Sequence, residues 1–346
     1  MHPLEKETEK IIRTNKLFLS GETVVVAVSG GPDSMALLHV LSRLSLGLKL
    51  KLAAVYVDHG LRPAETIHEA EVVRFQAQLL QIPCRIGRLD VPACVQQKKL
   101  SEEHGARILR YEFLDKTAVE LSAAKIALAH TADDQAEEVL LRLIRGSGRT
   151  GLSGMKMIRS NRFVRPFLRI SKSRLLQYLS DRKIPFLEDS SNLERVYLRN
   201  RVRLDLLPQL EKYNPNIRQT LRQTARILGD EEDLLAGLAK AARTDVVQSL
   251  PAEKTGQPCG LWLDINRFLN LHRAIQRRVV ETIFIEMDGL PSFKKIEQVL
   301  YLAESGQGGG ILHFSRGLRV VKKRKELIFS YPQGRVAKRG NLFEQK

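Results

Sequence analysis

A short loop near the start of the chain carries residue types that suit phosphate binding. Ser29-Gly30-Gly31-Pro32-Asp33-Ser34 lies between a run of β-branched residues and apolar residues at helical spacing. Glycines let backbone N–H groups approach phosphate oxygens, and the start of a helix adds a positive dipole. Ser29 and Ser34 can donate hydroxyl hydrogen bonds, and Pro32 suits a first helical turn. The loop therefore predicts a phosphate site, whereas two glycines alone would indicate only a turn.

The residues missing from this loop narrow its chemistry. It has neither the lysine of a P-loop nor the G-x-G-x-x-G pattern of a dinucleotide site, so γ-phosphate transfer and dinucleotide binding fit poorly. Asp33 places a carboxylate beside the expected phosphates, an arrangement that calls for a Mg²⁺ ion between them. We therefore expect Asp33 to be a metal ligand.

Further polar residues lie where neighbouring elements end or begin. Asp58-His59-Gly60 ends a second strand, again at the carboxyl edge of the expected sheet, although such a triplet is more often a plain turn. His130 ends another strand, and Asp134 and Glu137 lie three residues apart at the start of the next helix. That spacing puts both carboxylates on one helix face. They could hold Mg²⁺ or an ammonium group instead of only complementing the helix dipole.

Alternating strand and helix patterns in residues 1–145 must position these groups. Strands are predicted at Thr23–Val28, Leu52–Val57, Arg85–Leu89 and Lys125–Ala129, and helices at Asp33–Leu44, Glu65–Leu80, His104–Leu121 and Asp134–Ile144. This alternation predicts an α/β fold with a doubly wound parallel sheet and helices on both faces. Ligands of such sheets bind at the carboxyl ends of the strands, near the point where strand order reverses.

The rest of the chain differs in charge and pattern. The net charge is +17, from 56 Lys and Arg against 39 Asp and Glu. Of this excess, +12 lies between Arg142 and Arg203, where 16 basic residues face 4 acidic ones. Because cations that replace counterions on phosphates gain affinity, this concentration indicates a polyanionic partner more strongly than an evenly basic surface would.

Three parts are expected along the chain. They are an α/β catalytic domain at 1–215, a helical linker at 216–250 and a smaller α+β domain at 251–346. In the last part, helices are predicted at Ile265–Glu286 and Ser292–Ala303, and a strand meander at Ile311–Phe314, Leu318–Val321 and Leu327–Phe329.

Cysteine spacing and hydropathy limit the class of protein. Cys84, Cys94 and Cys259 lie far apart with no CxxC pair, which disfavours a disulfide framework or an iron–sulfur site. No stretch has membrane-spanning length, and the N-terminus lacks the apolar core of a signal peptide. We therefore expect a soluble, cytoplasmic protein with no membrane partner. The oligomeric state stays open, with a homodimer as one alternative.

The SGGPDS loop resembles the SGGxDS signature of PP-loop enzymes, which adenylate a substrate oxygen and release pyrophosphate. Downstream stretches are similar to those of one member family, the tRNA(Ile)-lysidine synthetases: VDHGLR from Val57, HTADDQAE from His130, RGSG from Arg145, RPFL from Arg165, EDSSN from Glu188 and YLRNRVR from Tyr197. The match covers about residues 20–210 in order. It implies a PP-loop, adenine nucleotide alpha hydrolase-like fold. One departure is Glu138, where the family usually has Thr, and we expect it to affect only local capping.

The resemblance implies ATP-dependent joining of free L-lysine to the wobble cytidine of an isoleucine tRNA with a CAU anticodon. The base oxygen would first be adenylated, and the lysine amine would then displace AMP to give lysidine. On this basis Ser29, Gly30, Gly31, Pro32, Asp33, Ser34, Asp58 and His59 would bind ATP, while Asp33, His130, Asp134 and Arg199 would be catalytic. Asp33 and Asp134 would hold Mg²⁺, and Asp134 and Glu137 would bind lysine. The α+β domain at 251–346 would contact tRNA, as would Arg145, Arg165, Asn192, Arg199 and Arg203.

Two kinds of alternative stay open. One is another PP-loop enzyme of tRNA, such as a cytidine thiolase, although sulfur chemistry would need paired cysteines that the sequence lacks. The other is a non-catalytic tRNA-binding protein that kept the fold. The intact Asp33 argues against it, because a binding protein needs no carboxylate at that position.

Overall fold

The structure, a computed structural model, describes residues 1–58, 63–98, 101–187, 195–250, 260–305 and 309–331. Two compact units divide the chain, Met1–Gly229 and Asp230–Lys346. The division falls inside one long helix, Ile217–Val246, which covers most of the segment expected to be a helical linker. His59 and Asn192, predicted to bind ATP and tRNA, lie outside the described residues.

A six-stranded sheet organises the first unit. Its strands are β1 (Thr23–Ala27), β2 (Lys51–Asp58), β3 (Cys84–Arg88), β4 (Lys125–Ala127), β5 (Ile158–Arg159) and β6 (Phe163–Val164), in the order β3-β2-β1-β4-β6-β5. All neighbouring pairs are parallel except β5 and β6, which form an antiparallel hairpin at one edge. The four predicted strands and the doubly wound parallel sheet are confirmed. The edge hairpin is an addition, because such short strands leave no periodic signal.

Helices cover both faces of this sheet. The helices that begin in this unit are α1 (Pro3–Thr14), α2 (Pro32–Leu48), α3 (Pro63–Leu79), α4 (Val91–Lys98), α5 (Glu102–Glu120), α6 (Ala132–Ile144), α7 (Arg149–Leu152), α8 (Lys172–Arg182), α9 (Leu198–Arg201), α10 (Leu207–Tyr213) and α11 (Ile217–Val246), with a π-helical stretch at Val202–Leu206. Helices α2, α3, α5 and α6 confirm the predicted ones. None of the helices in the described ranges is long and apolar enough to cross a membrane.

Strand β1 sends its side chains into two cores. Val24 and Val26 pack in a core with residues of α1, α2 and α8, whereas Val25 packs in a second core with residues of α5. All three valines are fully buried. The sequence of β1 is therefore a continuous run of apolar residues, without the alternation of apolar and polar residues seen in strands that have one exposed face. Helices α2 and α5 therefore lie on opposite faces of the sheet.

Strand order reverses at β1. The chain passes from β1 through β2 to β3, and then returns to the other side of β1 to form β4. The connections that leave the carboxyl ends of β1 and β4 therefore diverge and open a crevice between them. The loop after β1 and the residues after β4 both lie at this crevice, as the sequence predicted.

The second unit is built on a five-stranded antiparallel sheet. Its strands are β7 (Val247–Ser249), β8 (Gly260–Asp264), β9 (Ile311–His313), β10 (Arg319–Lys323) and β11 (Glu326–Ser330), in the order β7-β8-β11-β10-β9, and its helices are α12 (Ile265–Leu269), α13 (Arg273–Glu286) and α14 (Phe293–Glu304). The meander is confirmed. The prediction of a single helix at Ile265–Glu286 is wrong, because α12 ends at Leu269 and His272 caps the start of α13. The His272 Nδ1 accepts the Ala274 N–H at 3.2 Å.

Candidate active site

The loop after β1 presents backbone donors to the crevice. Gly30 has a φ of +82°, a conformation that side chains disfavour, so glycine is required there. Gly31 is the N-cap residue of α2, and Pro32 is among its first residues. Because glycine has no side chain to cap the helix, the first N–H groups of α2 stay open to an anionic ligand. This is the arrangement expected of a phosphate cradle.

Two serine hydroxyls fix the shape of the loop. Ser34 Oγ accepts the Ser29 N–H at 3.0 Å and donates to the Gly31 carbonyl at 2.9 Å. Ser29 Oγ lies 3.2 Å from Ser34 Oγ. The Leu187 N–H donates to the Gly30 carbonyl at 3.0 Å. The donors of the loop are thus oriented before a ligand binds, which is the condition for electrostatic preorganisation.

Asp33 holds a half-buried carboxylate in the first turn of α2. Burial raises its pKa to about 6, although the Lys172 charge opposes that shift. Lys172 Nζ lies 3.8 Å from Asp33 Oδ2, whereas Asp33 Oδ1 is buried with no hydrogen-bond partner among the described residues. An orphaned carboxylate oxygen calls for a ligand, and a hard cation such as Mg²⁺ fits it. The described ranges contain no group of three metal-binding side chains, so such an ion would need phosphate oxygens and water to complete its shell.

A cavity of about 450 Å³ opens beside the loop. It is lined by Ser29, Gly31, Pro32, Asp33 and Ser34 of the loop, by Val55, Tyr56 and Val57 of β2, by Leu128, Ala129 and His130 after β4, and by Asp134, Lys172, Leu187 and Arg203 among others. The volume falls in the range of small-molecule and cofactor sites, and its few polar groups converge from different elements. Three of the four predicted catalytic residues, Asp33, His130 and Asp134, therefore meet in one cavity.

His130 is half-buried beside Arg165, at the end of the segment that follows β4. The Arg165 Nε–H donates to His130 Nδ1 at 3.3 Å, and Nη1 donates to the Lys156 carbonyl at 2.7 Å. Burial, together with the Arg165 charge, lowers the pKa of His130 to about 3. The ring is therefore neutral near pH 7, and because Nδ1 accepts a hydrogen bond, Nε2 carries the proton. Arg165 is only 2% exposed, which favours a role in orienting His130 over the predicted contact with tRNA.

Asp134 has both carboxylate oxygens engaged. Its Oδ2 accepts the N–H and the hydroxyl of Thr131 at 2.7 and 2.8 Å, and the Thr131 hydroxyl accepts the Asp134 N–H, which completes the capping box of α6. Its Oδ1 accepts from Arg199 Nη2 at 2.8 Å. Burial alone would raise the pKa of Asp134, but the Arg199 charge and the Thr131 hydrogen bonds hold it below its usual value. Of the two oxygens, Oδ1 keeps room for a metal or ammonium ligand.

Glu137 lies one turn further along α6 and binds two arginines. Arg203 donates from Nε to Oε1 at 2.6 Å and from Nη2 to Oε2 at 3.1 Å, and Arg199 donates from Nε to Oε2 at 3.0 Å. Burial alone would lower the pKa of Arg199, but the charges of Asp134 and Glu137 raise it. The two carboxylates do share a helix face, as predicted. In this structure their partners are Arg199 and Arg203, at sequence separations of 62 to 66 residues.

The remaining predicted residues lie in different environments. Arg145 is the C-cap residue of α6 and is exposed, so a large polyanion can reach it. Asp58 faces Arg88 of β3, with 3.7 Å between Oδ2 and Nε, and lies outside the lining of the cavity. Glu138 takes no part in capping, contrary to expectation: it accepts from Arg142 Nε at 2.7 Å one turn away.

Sequence reasoning missed two polar groups of the site. Lys172, the first residue of α8, reaches Asp33, and its own N–H donates to Asp133 Oδ2 at 2.8 Å. Arg110 lines the cavity from α5. Nothing local marks Lys172, because its partners lie far away in the chain. Arg110 could have been found, since it stands next to Tyr111 in an arginine-rich turn of a predicted helix.

Comparison with known proteins gives matches for both units. A PP-loop domain model matches residues 2–210, and a TilS-like substrate binding domain model matches residues 260–329. The tRNA(Ile)-lysidine synthases of Bacillus subtilis and Geobacter sulfurreducens are each 33% identical to this chain, over 95% of it and 70% of the relative. The U34-tRNA thiolase NcsA from Methanococcus maripaludis shares the fold, with a TM-score of 0.55 at 17% identity over 65% of this chain and 80% of that chain. Because the PP-loop model covers more than half of the chain and these relatives are 33% identical over 70% of their own length, the chain belongs to the tRNA(Ile)-lysidine synthase family of PP-loop proteins.

Proposed function

We propose that this chain joins free L-lysine to C2 of the wobble cytidine of a CAU-anticodon isoleucine tRNA, with ATP as co-substrate, and gives lysidine, AMP and pyrophosphate. The observation that carries the proposal is the open phosphate loop with its orphaned Asp33 oxygen, set beside a nucleotide-sized cavity. Relatives named tRNA(Ile)-lysidine synthases support the choice of tRNA and product. Because tRNA and free lysine are its substrates, we expect the reaction in the cytoplasm.

In the first step, the loop holds ATP so that O2 of the cytidine can attack the α-phosphorus. The bond from that phosphorus to the bridging oxygen breaks, its electrons leave with pyrophosphate, and an O-adenylated cytidine forms. The N–H groups of the loop and the start of α2 stabilise the charge on the leaving pyrophosphate. Asp33 would hold Mg²⁺ through Oδ1, and the bound ion would neutralise part of the phosphate charge.

Lys172 supplies the cation that the loop itself lacks. Its ammonium group lines the cavity 3.8 Å from Asp33, and the hydrogen bond to Asp133 fixes its backbone. A P-loop carries its lysine within the loop, whereas here the lysine would reach the phosphates from the start of α8. Its charge favours the leaving group most strongly as the bond to the α-phosphorus breaks.

In the second step, the ε-amine of lysine attacks C2 of the adenylated cytidine. The C2–O2 bond breaks, and O2 leaves as part of AMP. The lysine nitrogen, which becomes the exocyclic nitrogen bonded to C2, loses two protons to solvent. With its low pKa, His130 is a poor base, so its role is to donate a hydrogen bond from Nε2. Asp134 Oδ1 is the site for the incoming ammonium group or the metal. Glu137 holds Arg203 in place at the cavity and Arg199 in place against Asp134.

Labelled lysine tests the proposal. The purified chain with ATP, Mg²⁺, labelled lysine and an isoleucine tRNA transcript should transfer label to the RNA. A transcript with uridine at the wobble position is the control and should take none. AMP formation without label in either transcript would indicate another PP-loop reaction, such as thiolation, and would refute lysidine formation.

A loop variant separates chemistry from RNA binding. Asp33→Asn should stop both AMP release and lysine transfer, because it removes the carboxylate that would hold the metal at the phosphates. Affinity for tRNA should stay within about twofold of wild type, since Asp33 lies in the phosphate loop and not on the exposed surface. A variant that loses tRNA affinity instead would mean that the loop is structural.

A further inference from the structure

Three arginines surround one tyrosine on α5 and the neighbouring hairpin. The guanidinium carbons of Arg107, Arg110 and Arg159 lie 5.4, 5.7 and 5.1 Å from the centre of the Tyr111 ring. Arg107 and Tyr111 are one turn apart on α5 and share a face, whereas Arg159 comes from β5. At these distances each guanidinium is attracted to the ring by a cation–π interaction. We refer to these four residues as the tyrosine–arginine cluster.

The hairpin that carries Arg159 is fixed against α5. Phe163, the partner of Arg159 across the hairpin, meets the Tyr111 ring edge to face, with 4.9 Å between ring centres. The turn contains Ser160 and Asn161, both with a φ of +51°, in the left-handed region that tight hairpin turns require. Lys125 Nζ donates to the Asn161 carbonyl at 2.7 Å and to its side-chain oxygen at 3.0 Å. The position of Arg159 is therefore set by packing before any ligand arrives.

Two charges of the cluster have no acidic counterpart among the side chains that the structure describes. Arg107 and Arg159 are exposed, and none of the described residues places a carboxylate within ion-pair distance of either. Arg199 and Arg203 differ, since Asp134 and Glu137 meet their charges. A guanidinium stacked on an aromatic ring keeps its N–H edge open and is only weakly hydrated, which suits it to phosphate oxygens.

Arg110 connects the cluster with the cavity. It lines the cavity and at the same time lies over the Tyr111 ring. A nucleotide with its base in the cavity would therefore have its backbone close to Arg107 and Arg159. We propose that Arg107 and Arg159 bind the RNA phosphates that flank the nucleotide entering the cavity. The inference rests on the proposed function in one respect, namely that the substrate is RNA.

The salt dependence of tRNA binding tests the inference. Each phosphate contact adds about 0.7 (single strand) to 0.9 (duplex) to the slope of log K against log salt concentration. Arg107→Gln/Arg159→Gln should therefore reduce the magnitude of that slope by about 1.4 to 1.8 and weaken binding by about tenfold or more at moderate salt. The loss should be equal for isoleucine tRNA and for an unrelated tRNA, because phosphate contacts carry no sequence information.

A matched control removes the same charge elsewhere. Lys10 on α1 and Arg43 on α2 are exposed and belong to helices on the other face of the sheet from α5. Lys10→Gln/Arg43→Gln should leave the salt slope at the wild-type value. If the slope of the Arg107→Gln/Arg159→Gln protein equals that of this control, the arginines only secure the hairpin and the inference is overturned.

Two further variants guard against misfolding. Arg107→Gln alone keeps the hairpin arginine and should lower the slope by about 0.7 to 0.9; an unchanged slope would contradict the inference. Arg107→Lys/Arg159→Lys keeps the charge without the planar stacking and should restore the slope but only part of the affinity. Binding is measured without ATP or lysine. A wild-type chain that binds tRNA with the expected slope but transfers no lysine would therefore refute the proposed function alone.

Discussion

Glu137→Gln tests whether this buried carboxylate supports the site or contacts the substrate. The Glu137 side chain is 2% exposed, and those of Arg199 and Arg203 are 22% and 27% exposed. Breaking a buried ion pair costs about 3–5 kcal/mol. Gln can still accept some of the hydrogen bonds, and water reaches both arginines. We therefore expect the free energy of unfolding to fall by about 2–3 kcal/mol, which is less than the loss of a fully buried ion pair and within the range for hydrogen bonds to charged groups.

Thermal unfolding measures this change. For a domain of this size, 1 kcal/mol shifts the midpoint by about 2–4 °C, so Glu137→Gln should lower it by about 5–10 °C. Glu138→Gln is the matched control, because Glu138 lies on the same helix and pairs with Arg142 one turn away. Such i,i+4 pairs contribute about 0.3–0.5 kcal/mol, so the midpoint of the control should fall by less than about 2 °C.

Kinetics of the same variant separate the two roles of Glu137. If it positions Arg199 and Arg203, both arginines lose their fixed geometry, and kcat should fall by about a hundredfold with little change in the KM for lysine. If it binds the lysine ammonium group, KM for lysine should rise instead. A Glu137→Gln protein as stable as wild type, with only KM for lysine raised, would refute the reasoning from the hydrogen bonds.

Three further predictions concern the phosphate loop and its neighbours. In metal-free buffer, Asp33→Asn should stabilise the protein by about 2 kcal/mol at pH 8 but not at pH 4. Burial raises the pKa of Asp33 to about 6, so the ionised carboxylate destabilises the fold as pH rises through that value. An equal difference in urea unfolding between variant and wild type at both pH values would contradict this. Lys172→Met should weaken pyrophosphate binding by about tenfold in calorimetry, since one charge–phosphate contact contributes about 1–2 kcal/mol. Lys172→Arg keeps the charge and should bind pyrophosphate nearly as well as wild type. An unchanged Kd for Lys172→Met would exclude a phosphate role for Lys172. Gly30→Ala should cost about 1–2 kcal/mol and weaken ATP binding, because the φ of +82° strains any residue with a Cβ atom; an unchanged urea midpoint would show that the loop does not need glycine.

The loop and the parallel sheet were accessible from the sequence because their signals are local. A buried β-branched run, two glycines and a helical pattern lie within one short segment, Thr23–Leu44, and the structure keeps all three as β1, the loop and α2. The carboxylates of α6 were also accessible, because a spacing of three residues fixes a shared helix face whatever the tertiary fold.

The partners of these groups were not accessible from local patterns. Arg199 and Arg203 reach α6 from a short helix and a π-helical stretch, and neither leaves a clear periodic signal. Arg165 reads as one more basic residue in a charged window, yet it is buried against His130 because β6 carries it into the sheet. Tertiary packing, and not residue type, decides which arginines of that window stay open to solvent.

The stoichiometry of the complete reaction tests the central claim most directly. AMP, pyrophosphate and lysine-modified tRNA should be quantified in one reaction of the purified chain with ATP, Mg²⁺, lysine and isoleucine tRNA. The proposed chemistry predicts one AMP and one pyrophosphate for each lysine, found by mass spectrometry on the wobble cytidine. Formation of ADP and phosphate, or of AMP and pyrophosphate with no lysine on that base, would contradict it.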